Sequence, residues 1–577
     1  MIMTGLSIDR QKKKHKQGQT KADSPPLNIK EKLALKKEER QKKQKLTGLI
    51  IFAICVGILL GLPLSLLFDA KIGAAVSLVL ILGVFSFSYP RMALWAFIIY
   101  VPFTGTIIYW LGGSPILQIS KDIFYLPALI ALVLECRKKQ LPIIVPKQLG
   151  TTLLLIFVFC VVCLLAVNLQ RQFLPTCASV EGLRVFRNGF LFGIPCRESE
   201  TFLQGILGFK VLLGYVPLIF CTYYLIKDKP TLLFFSRLLV TLAIICCVLG
   251  LMQYWMLKTG RCVGTRGYVA DTLFKATLEA RCLVGGALVY SPEVNMIRLP
   301  GTFVSPWHWA WFLVSSAVIC YASAFSETSQ KWRLAALVGL TLVFINAVIS
   351  GQRLAFFAVP TIIGLMTILT GQIANLKRFL PIIFAATLLL AIGFSFLNPD
   401  FVQQRYDSAV SRWQQSPPTA FIQEQLDFAI RNQGGILGRG LGVATASARV
   451  FGDISFVETY HSKVLFELGY IGFALYMIFM THLVYLAFRT YRSLKDPTLR
   501  GFAGSYWVLL LFVAYLPYWY ALDTDPVGVY YWIFAGVIFR LPVIEKQEKE
   551  AKILAGETAT KSSKKSLNFK RKGVSLA

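Results

Sequence analysis

An otherwise apolar chain carries a few residues able to do polar chemistry, and they are mostly arginines and one histidine. His461 closes a polar stretch, residues 398–461, that holds Arg405, Arg412, Arg431, Arg439 and Arg449, no lysine, and a glycine-rich turn from Gly434 to Gly442. Arg298 and Arg353 each stand a few residues ahead of, or at the start of, an apolar run. The arginine fork binds phosphate or carboxylate through paired hydrogen bonds and stays charged when partly buried. An imidazole, with an ordinary pKa of about 6.5, is suited to act as a base near neutral pH. A polar, arginine-bearing stretch that ends in a histidine at a helix mouth is therefore a plausible chemical site. The plainer alternative pairs the arginines with Glu181, Glu198, Glu200, Asp407, Glu424 and Asp427 and makes His461 an interfacial hydrogen-bonding residue. No metal-ligand cluster, Ser/His/Asp arrangement or P-loop is present, since the Gly434–Gly442 run lacks a Lys-Ser/Thr ending. No metal and no cofactor is expected.

The elements that must hold these groups are membrane helices. Of 577 residues, 55% are hydrophobic and only 16% charged, yet the formal charge is +30. A span of the hydrocarbon needs about 20 apolar residues. Such runs fall at 47–69, 70–89, 91–111, 122–136, 151–169, 206–226, 230–256, 308–326, 332–350, 353–371, 378–397, 462–488, 501–522 and 526–541. The fold class is thus an all-α polytopic membrane protein with about 12 to 14 transmembrane helices and a large, partly helical loop on one side. The domains are a basic tail (1–46), the membrane domain (47–541) with long loops at 170–205, 257–307 and 398–461, and a second basic tail (542–577). Both tails are expected to lack fixed structure.

Charge sets the expected orientation. With the amino terminus inside, the inner turns hold Arg91, Arg137, Lys138, Lys139, Lys147, Lys227, Lys229, Lys331, Lys377, Arg378 and the basic residues from Arg489 through Arg500, and both tails are cytoplasmic. The basic tails then read as topology signals that meet anionic lipid headgroups rather than as nucleic-acid arms. The three long loops lie outside, and their basic residues are overwhelmingly arginine, which charge-based topology does not require. Cys177 and Cys196 fall in the first loop, Cys262 and Cys282 in the second. An oxidising exterior permits disulfides between them, local pairing being one of three connectivities.

Three patterns follow one another in a fixed order. Arg298-Leu-Pro-Gly301-Thr302-Phe303-Val-Ser-Pro306 leads into Trp307-His308-Trp309-Ala310, Ser350-Gly351-Gln352-Arg353 makes a tight turn, and Gly438-Arg-Gly440-Leu-Gly442 precedes His461-Ser-Lys-Val-Leu-Phe-Glu467-Leu-Gly469. This order resembles the O-antigen ligase and polymerase superfamily of bacterial membrane glycosyltransferases over residues 298–487. The long basic tail and the cysteine-paired loops point to its cyanobacterial hormogonium-polysaccharide branch. Departures are an absent asparagine after Pro306, Gly351-Gln352 where a serine precedes the arginine, and Ser462 after the histidine. The resemblance implies a metal-independent, inverting transferase in the bacterial inner (plasma) membrane. It would use a polyprenyl-diphosphate-linked glycan as donor and a glycan or lipid hydroxyl as acceptor. It also implies His461 and Arg353 as catalytic residues and Arg298, Arg439 and either Arg405 or Arg412 as donor-binding residues.

Other residues read as structural. His308 sits among tryptophans as an interfacial anchor, His482 as a buried hydrogen-bonding residue, and Glu467 and Gly469 as helix-packing residues. Tyr515, Tyr518, Trp519, Tyr520, Tyr530, Tyr531 and Trp532 read as an aromatic belt, and Asp523 and Asp525 as exposed acids. The rival function is a polysaccharide or lipid-linked oligosaccharide transporter, which would place ionisable groups near mid-membrane.

Overall fold

The structure is a computed structural model that describes residues 29–67, 70–113, 117, 120–174, 186–187, 190–191, 194–195, 199–269, 273, 278–292, 295–371, 403, 407, 410–411, 414, 417–516 and 521–572. It divides into two compact units, Met1–Ser88 and Tyr89–Ala577.

The first unit is a helical hairpin of α1 (Ile29–Leu67) and α2 (Ala70–Ser88). Small residues let its backbones approach. A Cβ on Gly61 would lie 1.8 Å from Ser77 Oγ, and one on Gly73 would lie 2.4 Å from Ser65 Cβ. Its large apolar side chains point outward, Leu59 at 72% and Leu66 at 79% exposed, as lipid-facing positions do. α1 begins inside the basic tail, so the described part of that tail is helical.

In the second unit α3 (Pro90–Tyr100) passes through a 3₁₀ turn at Val101–Phe103 into α4 (Thr104–Trp110). α5 (Asp122–Lys138) follows, then α6 (Leu149–Cys163), which widens into a π-helical stretch, Leu164–Leu169. α7 (Thr201–Leu213) and α8 (Leu218–Leu225) form a pair bent by 40°. α9 is Lys229–Lys258, its first turn closed by Asp228, which accepts from Thr231 N–H at 2.9 Å. Next come α10 (Pro306–Ser326), α11 (Gln330–Ile349), α12 (Arg353–Leu369) and α13 (Pro418–Asn432). The chain closes with α14 (Tyr460–Ser493), α15 (Pro497–Tyr515) and α16 (Val527–Lys572), the last running into the second basic tail.

Sheet is confined to the long loops. The first holds a small meander, β1 (Phe186–Arg187), β2 (Phe190–Leu191) and β3 (Ile194–Pro195). The second holds two antiparallel ribbons, β4 (Arg281–Cys282) with β5 (Val284–Ala287) and β6 (Val289–Ser291) with β7 (Met296–Arg298).

Among the described residues nine helices are long and apolar enough to span a bilayer, ten if the bent pair counts as one span. Two further apolar helices, Gly73–Ser88 and Arg353–Leu369, are shorter. The chain is an all-α, multi-pass membrane protein. α5 falls outside the nine because Asp122, Glu135 and two basic residues dilute its 17-residue length, and the expected segment at 378–397 lies outside the described residues.

α10 is the central helix, 94% of its most apolar window buried, whereas the span built on α6 buries only 22% and so presents most of its surface to lipid. Chain direction and packing sort the loops. Tyr321 and Thr367 meet at 3.3 Å, and a Cβ on Gly504 would touch Thr370, which places the ends of α10 and α12 beside the start of α15. At the opposite end Leu299 N–H donates to Ser350 O at 2.9 Å. The described parts of the arginine-bearing loops lie at that second end. The first end carries short turns tied by ion pairs, Arg237 with Glu327 and Lys229 with Asp496. Burial alone would raise the Glu327 carboxyl, but the Arg237 fork and the Thr328 and Ser329 donors hold it below its ordinary value.

Cys262 and Cys282 are disulfide-bonded across 20 residues, and Gln253 of α9 donates to the Cys282 carbonyl at 3.0 Å. Cys177 and Cys196 lie outside the described residues. Closing a loop of this size is worth about 3 kcal/mol on chain entropy. Replacing Cys262 and Cys282 by serine is therefore expected to raise hydrogen exchange locally, in β4 to β7, while α10 and α15 keep their protection.

Candidate functional site

The glycine-rich loop and α14 are built for one another. α14 breaks at Gly469, whose φ of 66° and ψ of −169° are not helical. The half-helix before the break ends on open carbonyls. Arg439 N–H donates to Phe466 O at 2.9 Å and Gly440 N–H to Glu467 O at 3.0 Å. The loop thus closes the end of the half-helix, which is why its backbone must come so near. Gly438, Gly440 and Gly442 all have positive φ, 72°, 102° and 81°. A Cβ would meet Glu467 O at 2.4 Å, Asn168 Oδ1 at 2.9 Å and Gln204 O at 2.0 Å respectively. Asn168, in the π-helical stretch of α6, holds Leu441 from both sides, donating to its carbonyl and accepting from its N–H, each at 2.9 Å. The run is more than a turn that folds a cap back; it is a plug in a broken helix.

A left-handed backbone costs a side-chain-bearing residue about 1–3 kcal/mol, and at Gly442 the collision with Gln204 adds to it. Gly442→Ala is expected to lower the melting temperature in detergent more than Gly435→Ala does. Gly435 has a φ of 85° but open space where its Cβ would stand. Equal shifts would show that the close approach contributes nothing.

His461 occupies the second position of α14. Its Nε2 lies 3.0 Å from Ala514 O near the end of α15, and its ring meets Phe473 edge-on at 6.2 Å. A carbonyl oxygen only accepts, so Nε2 carries the proton and Nδ1 keeps its lone pair. Among the described residues no hydrogen bond engages Nδ1. Ala514 belongs to the end of the bundle where Ser350 and Leu299 meet, so His461 shares an end with Arg298 and Arg353.

The Ser350–Gln352 turn, which leads into Arg353, packs on the backbone of Arg298. Gly351 has a φ of 75°, and a Cβ there would stand 3.3 Å from Arg298 Cα and 3.1 Å from Ile297 O. Arg298 Nη2 donates to Ser291 Oγ at 2.9 Å. Gln352, 3% exposed, leaves its Nε2 without a hydrogen-bond partner among the described residues, next to Arg353 in the chain. Arg439 sits elsewhere, its Nε on Asn432 O at 2.6 Å, with Arg171 Nη1 on its own carbonyl at 2.6 Å. His461 makes no hydrogen bond with Arg298, Arg353 or Arg439 among the described residues. Arg405 and Arg412 lie outside those residues.

Charges missing from the sequence-based site are buried or half-buried at the same end. Asp523 and Asp525, expected as exposed acids, are paired instead: Asp523 with Lys463 at the mouth of α14, Asp525 with Lys121 ahead of α5. Lys210 of α7 reaches Asp122 Oδ2 at 2.7 Å, and Tyr215 donates to Asp122 Oδ1 at 3.1 Å. Glu467 accepts from Ala444 N–H at 2.9 Å and from the Thr445 hydroxyl at 3.0 Å. The aromatic residues after α15 are also corrected. Tyr530, Tyr531 and Trp532 are 1%, 0% and 4% exposed, a packed core rather than a belt; Tyr515 is half-exposed, and residues 518–520 lie outside the described ones. The available signal was Lys463 and Glu467, four residues apart in an apolar run, which no lipid-facing helix tolerates. Asn168 carried no signal. His308 bonds Ser305 Oγ through Nδ1 at 2.5 Å, and His482 bonds Thr152 at 3.0 Å.

No protein-family model matches this chain, and no curated protein matches it significantly.

Proposed function

We propose that this chain is a glycan transferase of the O-antigen ligase or polymerase type, acting at the arginine-bearing end of its helix bundle. The carrying observation is the orientation of His461, whose Nε2–H is held on Ala514 O and whose Nδ1 is left as a base. In the proposed step an acceptor hydroxyl gives its proton to Nδ1 and its oxygen attacks the anomeric carbon of the donor. The bond from that carbon to the diphosphate oxygen breaks, and the lipid diphosphate leaves with the electron pair. Arg298, beside the Gly351 turn, and Arg353, which follows it, would bind the leaving charge, with Arg439 a further donor-binding candidate on the plug. Attack opposite the leaving group inverts the anomeric centre. The proposed setting is a bacterial plasma membrane, with both chain termini cytoplasmic and the active end outside.

Incubating the purified protein in detergent with a polyprenyl-diphosphate-linked glycan and an acceptor tests this, the expected result being glycan transfer and released lipid diphosphate. In cells, deletion is expected to leave single repeat units for a polymerase or unattached long chains for a ligase. An unchanged glycan profile together with no transfer in detergent would remove the reading.

A second reading, a lipid-linked oligosaccharide transporter, is favoured by the break of α14 at Gly469 and the buried lysine–carboxylate pairs. Those charges cluster at one end rather than in the middle of the spans, which favours the transferase. Detergent separates the two, because a transporter without a membrane has nothing to do.

A further inference from the structure

The charge around α14 does not balance. Lys463 Nζ donates to Asp523 Oδ2, with the side chains only 2% and 5% exposed. One turn along, Glu467 is 3% exposed and within electrostatic reach of both. Two carboxylates face one ammonium, leaving a formal excess of one negative charge. Among the described residues the remaining neighbours do not cancel it. Ala444 and Thr445 offer Glu467 neutral donors, α6 offers the Cys160 thiol, and Tyr460 and Tyr476 of α14 face Asp523 with hydroxyls.

The same region holds orphaned oxygens. Asp523 Oδ1 and the hydroxyls of Tyr460, Tyr476 and Tyr531 are buried without a hydrogen-bond partner among the described residues. Water would satisfy these atoms but would leave the charge, and a buried unbalanced carboxylate is among the costliest groups a protein can hold. We propose that this charged cluster binds one monovalent cation, a proton or a sodium ion, held by the Glu467 and Asp523 carboxylates with the tyrosine hydroxyls around them. The charge deficit is one, and carboxylate and hydroxyl oxygens are ligands that both ions accept. Among the described residues no group of three or more His, Cys, Asp or Glu gathers. The inference rests on packing and charge and holds under either reading of the activity.

Thermal unfolding of the full-length protein in detergent, followed by tryptophan fluorescence, tests it. Melting temperature is measured against pH in choline chloride, then at pH 8 with sodium, potassium or choline. A site that holds a proton when folded has its pKa raised above the unfolded value. Its stabilisation is then present at low pH and lost as pH rises through the folded pKa. A site that holds sodium gives a saturable upward shift with sodium alone. Glu467→Gln, neutral and of the same shape, is expected to abolish whichever response the wild type shows. If that variant does not fold, infrared spectroscopy of the wild type decides. A protonated-carboxyl band lost on raising pH, or a carboxylate band shifted by sodium and not potassium, supports the site. Parallel responses of wild type and Glu467→Gln, or neither infrared change, would overturn it.

Discussion

His461→Ala is expected to lower glycan transfer by about 100- to 10,000-fold, the range general-base catalysis supplies, while the protein still folds. The Nε2 hydrogen bond joins the first turn of α14 to the last turn of α15. Its loss costs about 0.5–1.5 kcal/mol, small beside a bundle whose α10 window is 94% buried. His461→Gln separates the roles, since an amide donates to Ala514 O but is no base at neutral pH. If the ring only tethers the two helices, His461→Gln keeps most of the transfer. If Nδ1 is the base, both variants lose it, and the wild-type rate falls at low pH as the imidazole gains its second proton. Full activity in both variants would end the catalytic assignment.

Lys463→Met is expected to be the most destabilising single change considered, by about 3–5 kcal/mol, because it strands the Asp523 carboxylate in a sealed site. The double variant Lys463→Met/Asp523→Leu removes both charges, and is expected to recover most of the stability at neutral pH. Equal melting temperatures for the single and double variants would show that the pair is not coupled.

The two experiments address residues two positions apart whose side chains do different things. Position 461 lies against the end of α15, while position 463 points at the turn that follows it. Helical geometry sets successive side chains about 100° apart, so one turn of α14 presents a candidate base on one side and a buried ammonium on the other.

Much of the architecture was legible from hydropathy, because a membrane span must be a long apolar helix whatever packs beside it. The broken helix was half legible. Gly438, Gly440, Gly442 and Gly469 are visible in sequence, but nothing local says that their carbonyls and N–H groups complete one another. His461 and the Gly351 turn stood out in the sequence because residue type and order suggest chemistry without contacts. Asp523 and Asp525 were misread because an acid in a short polar turn looks exposed until its partners, Lys463 and Lys121, are brought from 60 and 404 residues away.

By itself the sequence determined that this is a multi-pass helical membrane protein with arginine-rich loops, since composition and run length depend on solvent alone. Only the tertiary structure decided which charges are buried, which nitrogen of His461 is free and where the glycine loop seats. Those depend on groups distant in the chain meeting at hydrogen-bond range, and local residue patterns do not encode that distance.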